Sequence, residues 1–322
     1  MLDLVIIGGG PTGINCAIQA ERAHLDYVIL EKGVLVNSIF NFPANMTFFS
    51  TSENLEIGGV PFISHNDKPT RQEALEYYRR ILESYDLNID FGIEVSKMDD
   101  QQSFYTIHTN EGSYETKFVI IATGFYDKPN MMNVPGEELP KVKHYYDEVH
   151  HYIRKKVIVV GGANSACDVA LECWHKGAEV TMVVREPELY QGVKYWILPN
   201  IENRIKEGSI KAYFNSKIKE IHEKDVVVQT PDGEITIEND YVLAMTGYSP
   251  DYSLLENLGI NINDDEHKTP DYNEKSLETN LKGVYLAGVI NGGLKTNKYF
   301  IENTRDHAEI IIQDIEKKLS YV

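Results

Sequence analysis

The sequence is poor in cysteine, in basic residues and in long apolar runs, and each shortage excludes a class of protein. Its 322 residues include three cysteines, too few for a disulfide-stapled secreted fold and typical of a reducing cytoplasm. The 31 Lys and Arg stand against 49 Asp and Glu, a net charge of −18, so neither nucleic acid nor an anionic membrane is an expected partner. The longest apolar runs, such as residues 118–125, are far shorter than the roughly 20 residues that span a bilayer. The opening, MLDLVIIGGG, lacks the basic segment of a secretory signal, so we expect a cytoplasmic protein.

One pattern occurs twice in the chain. Residues 4–31 and residues 157–185 each contain a β-branched run, a glycine turn, an amphipathic stretch and a second apolar run that ends in a polar residue. This order is that of a strand–turn–helix–strand unit. With 42% apolar residues the chain can bury two cores, and its length suits two domains. We therefore predict an α/β protein with two Rossmann-like, three-layer nucleotide-binding domains.

Local patterns predict further elements around the two repeats. A capping box over 70–73, followed by apolar residues at helical spacing, predicts a helix over 71–85. Two alternating runs with a glycine-containing turn between them predict a hairpin over 103–121, and a second set of short strands is expected within 210–244. A closing helix is expected over 298–318.

The first glycine motif combines a turn, a helix start and a strand-end acid. Gly8-x-Gly10-x-x-Gly13 follows a predicted strand and opens a helix near Pro11. Gly8 permits the tight turn, Gly10 lets the backbone approach a pyrophosphate, and Gly13 allows close packing of helix on strand. Glu31 ends the second strand, where a carboxylate accepts hydrogen bonds from ribose hydroxyls and repels a 2′-phosphate. The motif therefore favours the adenosine half of FAD or NAD over NADP.

The second glycine motif ends in a cation instead. Gly161 and Gly162 open it, and alanine stands at the two later fingerprint positions. The following strand ends in Arg185, a guanidinium suited to the 2′-phosphate of NADPH, and Lys194 is close enough in sequence to assist. Glu186 opposes this preference, because an acid beside Arg185 favours NADH. Two unlike nucleotide sites in one chain suit hydride transfer from NADPH to a flavin.

Two sets of sequence segments carry a family resemblance. The general motifs are GGGPTG at 8–13, IIATG at 120–124, VVGGANSA at 159–166, TGYSPD at 246–251 and YLAG at 285–288. The more specific segments are TFFSTS at 47–52, GGVPF at 58–62, KYWILPN at 194–200, MTGYSPDY at 245–252 and LAGVING at 286–292. With the general motifs the whole chain resembles the low-molecular-weight, thioredoxin-reductase-like flavoproteins among the pyridine nucleotide-disulfide oxidoreductases. With the specific segments the likeness is greatest to the bacillithiol-disulfide (bacilliredoxin) reductases.

The resemblance implies a domain arrangement and an activity. It implies a discontinuous FAD domain over 1–124 and 247–322, with an NADPH domain over 125–246 inserted into it, in a homodimer. The implied reaction is reduction of bacillithiol disulfide, or of a mixed disulfide on a small bacilliredoxin, with electrons from NADPH through FAD. The implied cofactor contacts are Gly8, Gly10, Pro11, Thr12, Gly13, Glu31, Lys32, Phe49, Ser50, Thr51, Thr123, Gly124, Gly161, Gly162, Asn164, Ser165, Arg185, Lys194, Gly247, Gly288 and Val289.

Two positions depart from the patterns of relatives. Thioredoxin reductases usually have Asp where this chain has Val289, although the bacillithiol-type relatives resemble this chain there. Some of those relatives also have a cysteine in the first glycine loop, at the position of Thr12. A mechanism built on that thiol is therefore not implied here.

The positions of the cysteines constrain the electron route. The sequence has no Cys-x-x-Cys motif of the kind that carries electrons from a flavin to thioredoxin. Cys167 and Cys173 lie on one predicted helix with Cα atoms about 9 Å apart, beyond the roughly 7 Å that a disulfide can bridge. Cys16 fits a small side chain buried against the sheet. The candidate catalytic groups are thus Cys16 and His307, a proton donor from the closing helix, and direct reduction by the flavin is the favoured route.

Other functions share parts of this pattern. An NADPH-dependent ferredoxin or flavodoxin reductase also lacks Cys-x-x-Cys, but an acidic chain would repel acidic ferredoxin. A flavin monooxygenase shares the glycine turns, and a degenerate flavin-binding partner of another redox protein would need no thiol at all. No metal site is predicted, because the histidines at 144, 150 and 151 have no cysteine or regularly spaced acid nearby.

Overall fold

The computed structural model describes residues 1–320, and the chain forms two compact units. The first unit contains residues 1–40, 47–128 and the described residues from 248 onward. The second unit contains residues 41–46 and 129–247. The first unit is built around a mixed sheet with a parallel centre, and the second unit is built around a parallel sheet.

The elements follow one another as a repeated alternation of strands and helices. In chain order they are β1 (Leu2–Ile7), α1 (Pro11–Arg22), β2 (Tyr27–Glu31), α2 (Asn37–Phe40), α3 (Arg71–Tyr85), β3 (Ile89–Phe91), β4 (Val95–Asp100), β5 (Tyr105–Thr109), β6 (Gly112–Ile121), β7 (Lys128–Pro129), β8 (Val142–Lys143), β9 (Lys156–Val160), α4 (Asn164–His175), β10 (Glu179–Val183), α5 (Leu198–Lys206), β11 (Lys211–Tyr213), β12 (Lys217–Ile221), β13 (Asp225–Thr230), β14 (Gly233–Glu238), β15 (Tyr241–Ala244), β16 (Tyr248–Ser249), α6 (Tyr252–Asn257), β17 (Val284–Leu286) and α7 (Arg305–Ser320). Short 3₁₀ turns lie at Glu53–Leu55, Val149–Tyr152 and Val289–Gly292.

The first unit has a seven-stranded sheet in the order β3-β2-β1-β6-β5-β4, with β17 beside β6. β1 pairs in parallel with β2 and β6, whereas β4, β5 and the outer part of β6 form an antiparallel hairpin set. β1 is central and its Val5 and Ile6 are fully buried. Val5 belongs to a buried cluster that also contains residues of β4, β5 and α6. The carboxyl ends of β1, β6 and β17 lie side by side, and each strand is followed within three residues by a glycine.

The second unit has a five-stranded parallel sheet in the order β11-β10-β9-β15-β8. α4 connects β9 to β10, which repeats the β1–α1–β2 arrangement of the first unit. A separate antiparallel sheet, β12-β13-β14, has buried valines alternating with more exposed residues along β13. The predicted fold class, α/β with two Rossmann-like nucleotide-binding folds, is confirmed.

The prediction of the capped helix was right, and the predicted start of the closing helix was not. The helix over 71–85 is present, and Thr70 and Glu73 form the capping box, with the Thr70 N–H donating to Glu73 at 2.8 Å. The closing helix begins at Arg305, so the predicted start at residue 298 was wrong. Asn303 accepts a hydrogen bond from the backbone N–H of Phe300 at 2.7 Å, and this side-chain bond favours a turn over a helix.

Candidate nucleotide-binding sites

The first glycine turn combines two tightly packed glycines with one open glycine. Gly8 has φ +110°, and a Cβ there would lie 2.6 Å from the carbonyl oxygen of Ala122. A Cβ on Gly13 would lie 2.0 Å from the carbonyl oxygen of Gly8, so helix α1 approaches the turn as closely as its backbone allows. A Cβ on Gly10 would meet no atom within 4 Å. A ligand can therefore approach the backbone of this turn at Gly10.

Helix α1 presents uncapped N–H groups at this opening. Gly10 is its N-cap residue, with extended backbone, and Pro11 is its first residue. Within residues 1–320 no side chain caps this end, and the first turn has no acid. Because the first N–H groups of a helix need an acceptor and carry partial positive charge, this end suits an anion.

Glu31 is fixed at the end of β2 by the glycine-rich backbone. Its carboxylate accepts hydrogen bonds from the N–H groups of Gly9 and Gly33, each at 2.7 Å, and its side chain is buried. Burial raises the pKa of this carboxyl group, against the two hydrogen bonds that lower it. Each carboxylate oxygen has further acceptor capacity, which ribose hydroxyls could use. The neighbouring Lys32 is engaged by Asp127, with 2.9 Å between ammonium and carboxylate.

Five of the sequence-predicted residues meet beside the ends of β6 and β17. Gly288 has φ +89°, and a Cβ there would lie 2.8 Å from Oγ1 of Thr12. Gly124 has φ +72° and faces Cγ2 of Val289, 3.9 Å from the position of its missing Cβ. Thr123 belongs to the same place, since its Cα lies 3.2 Å from the Cβ position of Gly8. Residues distant in sequence thus surround the first glycine turn.

Residues 49–51, which the resemblance implies as cofactor contacts, are bonded to the segment that precedes α7. Ser50 donates a hydrogen bond from its hydroxyl to the carboxylate of Glu302 at 2.6 Å. Phe49 is 58% exposed, and the ammonium of Lys68 lies 4.9 Å from its ring centroid. Thr51 is half-buried beside them. The sequence analysis missed Glu302, and no local pattern marked it.

The second glycine turn repeats the packing of the first. Gly161 has φ +124°, and a Cβ there would lie 2.5 Å from the carbonyl oxygen of Met245. A Cβ on Gly162 would lie 2.7 Å from Cγ1 of Val184. Ala163 is the N-cap of α4, and in the described part of the chain this end also lacks a side-chain cap and a first-turn acid. Ser165, the second residue of α4, is half-buried at this end of the helix.

Lys194 binds two residues of α4, Asp168 and Asn164. Its ammonium lies 2.7 Å from the carboxylate of Asp168, and its side chain is only 9% exposed. Its backbone N–H donates to Oδ1 of Asn164 at 2.9 Å. Lys194 therefore has its charge matched by Asp168 and holds Asn164 in position. Asp168 was missed by the sequence analysis, although it lies one helical turn after Asn164 on α4.

Arg185 and Gly247 lie at the ends of strands in the second unit. The Arg185 side chain is 86% exposed and its Nε lies 3.0 Å from Glu186. An exposed guanidinium beside a strand end is accessible to a phosphate. Gly247 has φ +86°, and its carbonyl accepts the N–H of Asn130 at 2.9 Å.

The two candidate catalytic side chains are both buried. Cys16 is 0% exposed on α1, and burial raises the pKa of its thiol to about 12. His307 accepts the N–H of Gly288 at Nδ1, 3.1 Å away, and burial lowers its pKa to about 4. At pH 7 Cys16 is therefore a protonated thiol, whereas attack on a disulfide needs a thiolate. His307 is neutral at this pH, whereas a readily donated proton needs the charged imidazolium. Both fit a structural role better than a chemical one.

The fold and the two turns together define a class of protein. The chain has two strand–turn–helix units, and the helix of each begins without a side-chain cap. The acid Glu31 follows the first helix, and the base Arg185 follows the second. This is the framework of an enzyme that binds two dinucleotides. None of the helices within residues 1–320 has both the length and the apolar character to cross a membrane.

Comparison with known proteins gives the family. The family model described as "Pyridine nucleotide-disulphide oxidoreductase" matches residues 5–288, and the chain belongs to this family. Bacilliredoxin reductase Bdr of Bacillus subtilis (strain 168) is 46% identical over 316 residues, which cover 98% of this chain and 97% of that protein. The solved structure of bacillithiol disulfide reductase Bdr from Staphylococcus aureus is 42% identical, with a TM-score of 0.95 over 98% of both chains. Thioredoxin reductase from Lactococcus lactis is similar in fold, with a TM-score of 0.80 at 21% identity over 100% of both chains.

Proposed function

We propose that this protein is an NADPH-dependent FAD enzyme that reduces a disulfide formed by a low-molecular-weight thiol. The acceptor is bacillithiol disulfide or a mixed disulfide of that thiol on a small bacilliredoxin. In the net reaction, NADPH and one proton reduce the sulfur–sulfur bond, which gives two thiols and NADP⁺. The observation that carries the proposal is the pair of glycine turns, one with Glu31 at the end of its second strand and the other with Arg185 two residues after its second strand. The chain is also 46% identical to a bacilliredoxin reductase.

The first unit has the features that FAD needs. The open face of Gly10 and the uncapped start of α1 would receive the pyrophosphate, and Glu31 would bind the adenosine ribose. The cluster of Thr12, Thr123, Gly124, Gly288 and Val289 would border the ribitol and the ring, as would Phe49, Ser50 and Thr51. When bound, the flavin would accept a hydride from NADPH and deliver two electrons to the disulfide.

The second unit has the features that NADPH needs. The start of α4, with Asn164 and Ser165, would receive the pyrophosphate, and Arg185 would bind the 2′-phosphate. Lys194 would act through Asn164, because its own charge is matched by Asp168. We propose an FAD domain of 1–124 and 247–322, with an NADPH domain of 125–246 inserted into its sequence. The compact units break nearby, after residues 128 and 247, and differ in that residues 41–46 belong to the second unit.

Electrons pass to the acceptor without a protein disulfide in this proposal. The three cysteines at 16, 167 and 173 are free and buried, and burial raises the pKa of each to about 12. The sequence contains no Cys-x-x-Cys pair that could relay electrons. Free thiols are typical of a reducing cytoplasm, and we propose that the reaction takes place there. We also propose that the enzyme works as a homodimer.

Rapid-mixing spectroscopy tests the proposal. The purified holoenzyme should be yellow, and NADPH should bleach its flavin band faster than NADH does at equal concentration. Oxidised bacillithiol, or bacilliredoxin carrying bacillithiol as a mixed disulfide, should then restore the band with release of free thiol. Reoxidation by ferredoxin or flavodoxin, with no response to either disulfide, would instead assign the chain to the ferredoxin reductases. A colourless protein that takes up no FAD would refute the proposal.

A further inference from the structure

A short segment after β10 is bound to the second glycine turn at both of its ends. We call residues 190–194 the clasp. At one end the N–H of Tyr190 donates to the carbonyl of Gly162 at 2.9 Å. At the other end the N–H of Lys194 donates to Asn164 at 2.9 Å, and the Lys194 ammonium pairs with Asp168. The clasp is thus held against the turn without any ligand.

The clasp presents an aromatic ring in a fixed position. A Cβ on Gly192 would lie 2.4 Å from Cε1 and 2.6 Å from Cζ of Tyr190, so the ring lies directly against the Gly192 backbone. The side chain of Tyr190 is nevertheless 52% exposed. A half-exposed ring that rests on backbone can stack on a planar ligand with little loss of conformational freedom.

The place of Tyr190 in the chain indicates which planar ligand its ring would contact. Tyr190 lies on the same connection as Arg185, five residues further on, and its backbone is bonded to the glycine turn. In NADPH the 2′-phosphate and the adenine are attached to one ribose, so a base whose phosphate is bound by Arg185 must lie nearby. We propose that Tyr190 is the adenine-stacking residue of the second nucleotide site. This inference rests on the proposed use of NADPH.

Binding of adenosine 2′,5′-bisphosphate to the holoenzyme, measured by calorimetry, isolates this contact. This probe has the adenine and the 2′-phosphate but no nicotinamide, so the result is independent of turnover. Tyr190→Ala should weaken its binding roughly tenfold or more, as loss of one base–aromatic stack does elsewhere, whereas Tyr190→Phe should bind within twofold of the wild type. Gly192→Ala, which forces the ring to move, should also weaken binding. Tyr195→Ala removes another exposed tyrosine and is the matched control, with binding unchanged.

The outcomes separate this inference from the proposed function. If Arg185→Ala weakens binding but Tyr190→Ala does not, NADPH use stands and the stacking role is overturned. If Tyr190→Phe is as weak as Tyr190→Ala, the hydroxyl and not the ring makes the contact, and stacking is again overturned. If the wild-type protein binds neither the bisphosphate nor NADP⁺, the proposed use of NADPH fails together with this inference.

Discussion

The backbone N–H of Gly288 donates a hydrogen bond to Nδ1 of His307, 3.1 Å away in the buried interior of the first unit. Nδ1 can accept this bond only when it carries no proton, which assigns the ring hydrogen to Nε2. Thr12 packs against Gly288 as well, with Oγ1 2.8 Å from the position of a Cβ. His307 from α7 and Thr12 from the first glycine loop thus both contact the turn at Gly288, beside the proposed flavin site. We infer that His307 positions this turn.

The pH dependence of stability tests this arrangement of His307. Burial lowers the pKa of His307 to about 4 in the folded state, against the usual 6.5 of an unfolded chain. Its stabilising contribution is therefore complete above pH 6.5 and is lost as pH falls toward 4, by about 1.4 kcal/mol per pH unit. In His307→Gln this loss should be absent. Urea unfolding of both proteins between pH 7 and 4.5 measures the difference in slope, and equal slopes would contradict the buried neutral imidazole.

Two glycines of the first turn should respond differently to one added methyl group. Gly13→Ala places a Cβ 2.0 Å from a backbone oxygen and should lower the free energy of unfolding by at least about 2 kcal/mol. Gly10 has φ −77° and open space at its Cβ position, so Gly10→Ala should change apoprotein stability by less than about 0.5 kcal/mol.

The same Gly10→Ala variant should lose FAD, because its methyl group occupies the approach to the helix N-terminus. Denaturant unfolding of the apoproteins and fluorescence titration with FAD separate the two effects. Tight FAD binding by Gly10→Ala would mean that the pyrophosphate lies elsewhere.

Cys16 should be dispensable for turnover. Its thiol is fully buried with a pKa of about 12, and only a thiolate attacks a disulfide. Cys16→Ala should keep NADPH-dependent disulfide reduction within twofold of the wild type, at a cost of about 1 kcal/mol in stability. Titration with a chromogenic disulfide should detect little thiol in the folded protein and all three thiols after denaturation. A large loss of turnover in Cys16→Ala, with the fold intact, would restore the thiol route.

Lys194 should affect binding of NADPH and NADH alike. If it binds only Asp168 and Asn164, Lys194→Met should weaken both nucleotides equally and lower stability by about 3 kcal/mol, since it leaves a partly buried carboxylate without its partner. Arg185→Ala should weaken NADPH about tenfold and leave NADH unchanged. Asp168→Asn combined with Lys194→Met should recover part of the stability. A selective loss of NADPH binding in Lys194→Met would show that its ammonium reaches the 2′-phosphate.

The sequence predicted the turns because each is decided within a few residues. Gly8 and Gly161 have positive φ, and Gly13 contacts the backbone of Gly8 five residues away, so the glycine pattern itself predicts the turns. The capping box at Thr70 and Glu73 is equally local. These features could be predicted from residue type and spacing alone.

The partners of the predicted residues could not be found in this way. Asp168 and Lys194 are 26 positions apart, and only the packing of the clasp on α4 brings their charges together. His307 was predicted to be a proton donor, and its burial beside the turn at Gly288, 19 residues earlier, has no local sequence signal. Side chains whose ionisation depends on distant backbone are therefore the part of the site that the sequence leaves open.

The bonds between the clasp and the second glycine turn have a consequence for how a nucleotide enters. Gly162 is joined to Tyr190, and Asn164 to Lys194, so the loop after β10 does not lift without releasing the turn. A nucleotide therefore meets a clasp that is already formed, and any opening of this loop breaks both bonds. The amide hydrogens of Tyr190 and Lys194 then exchange with solvent at a common rate, set by that shared opening.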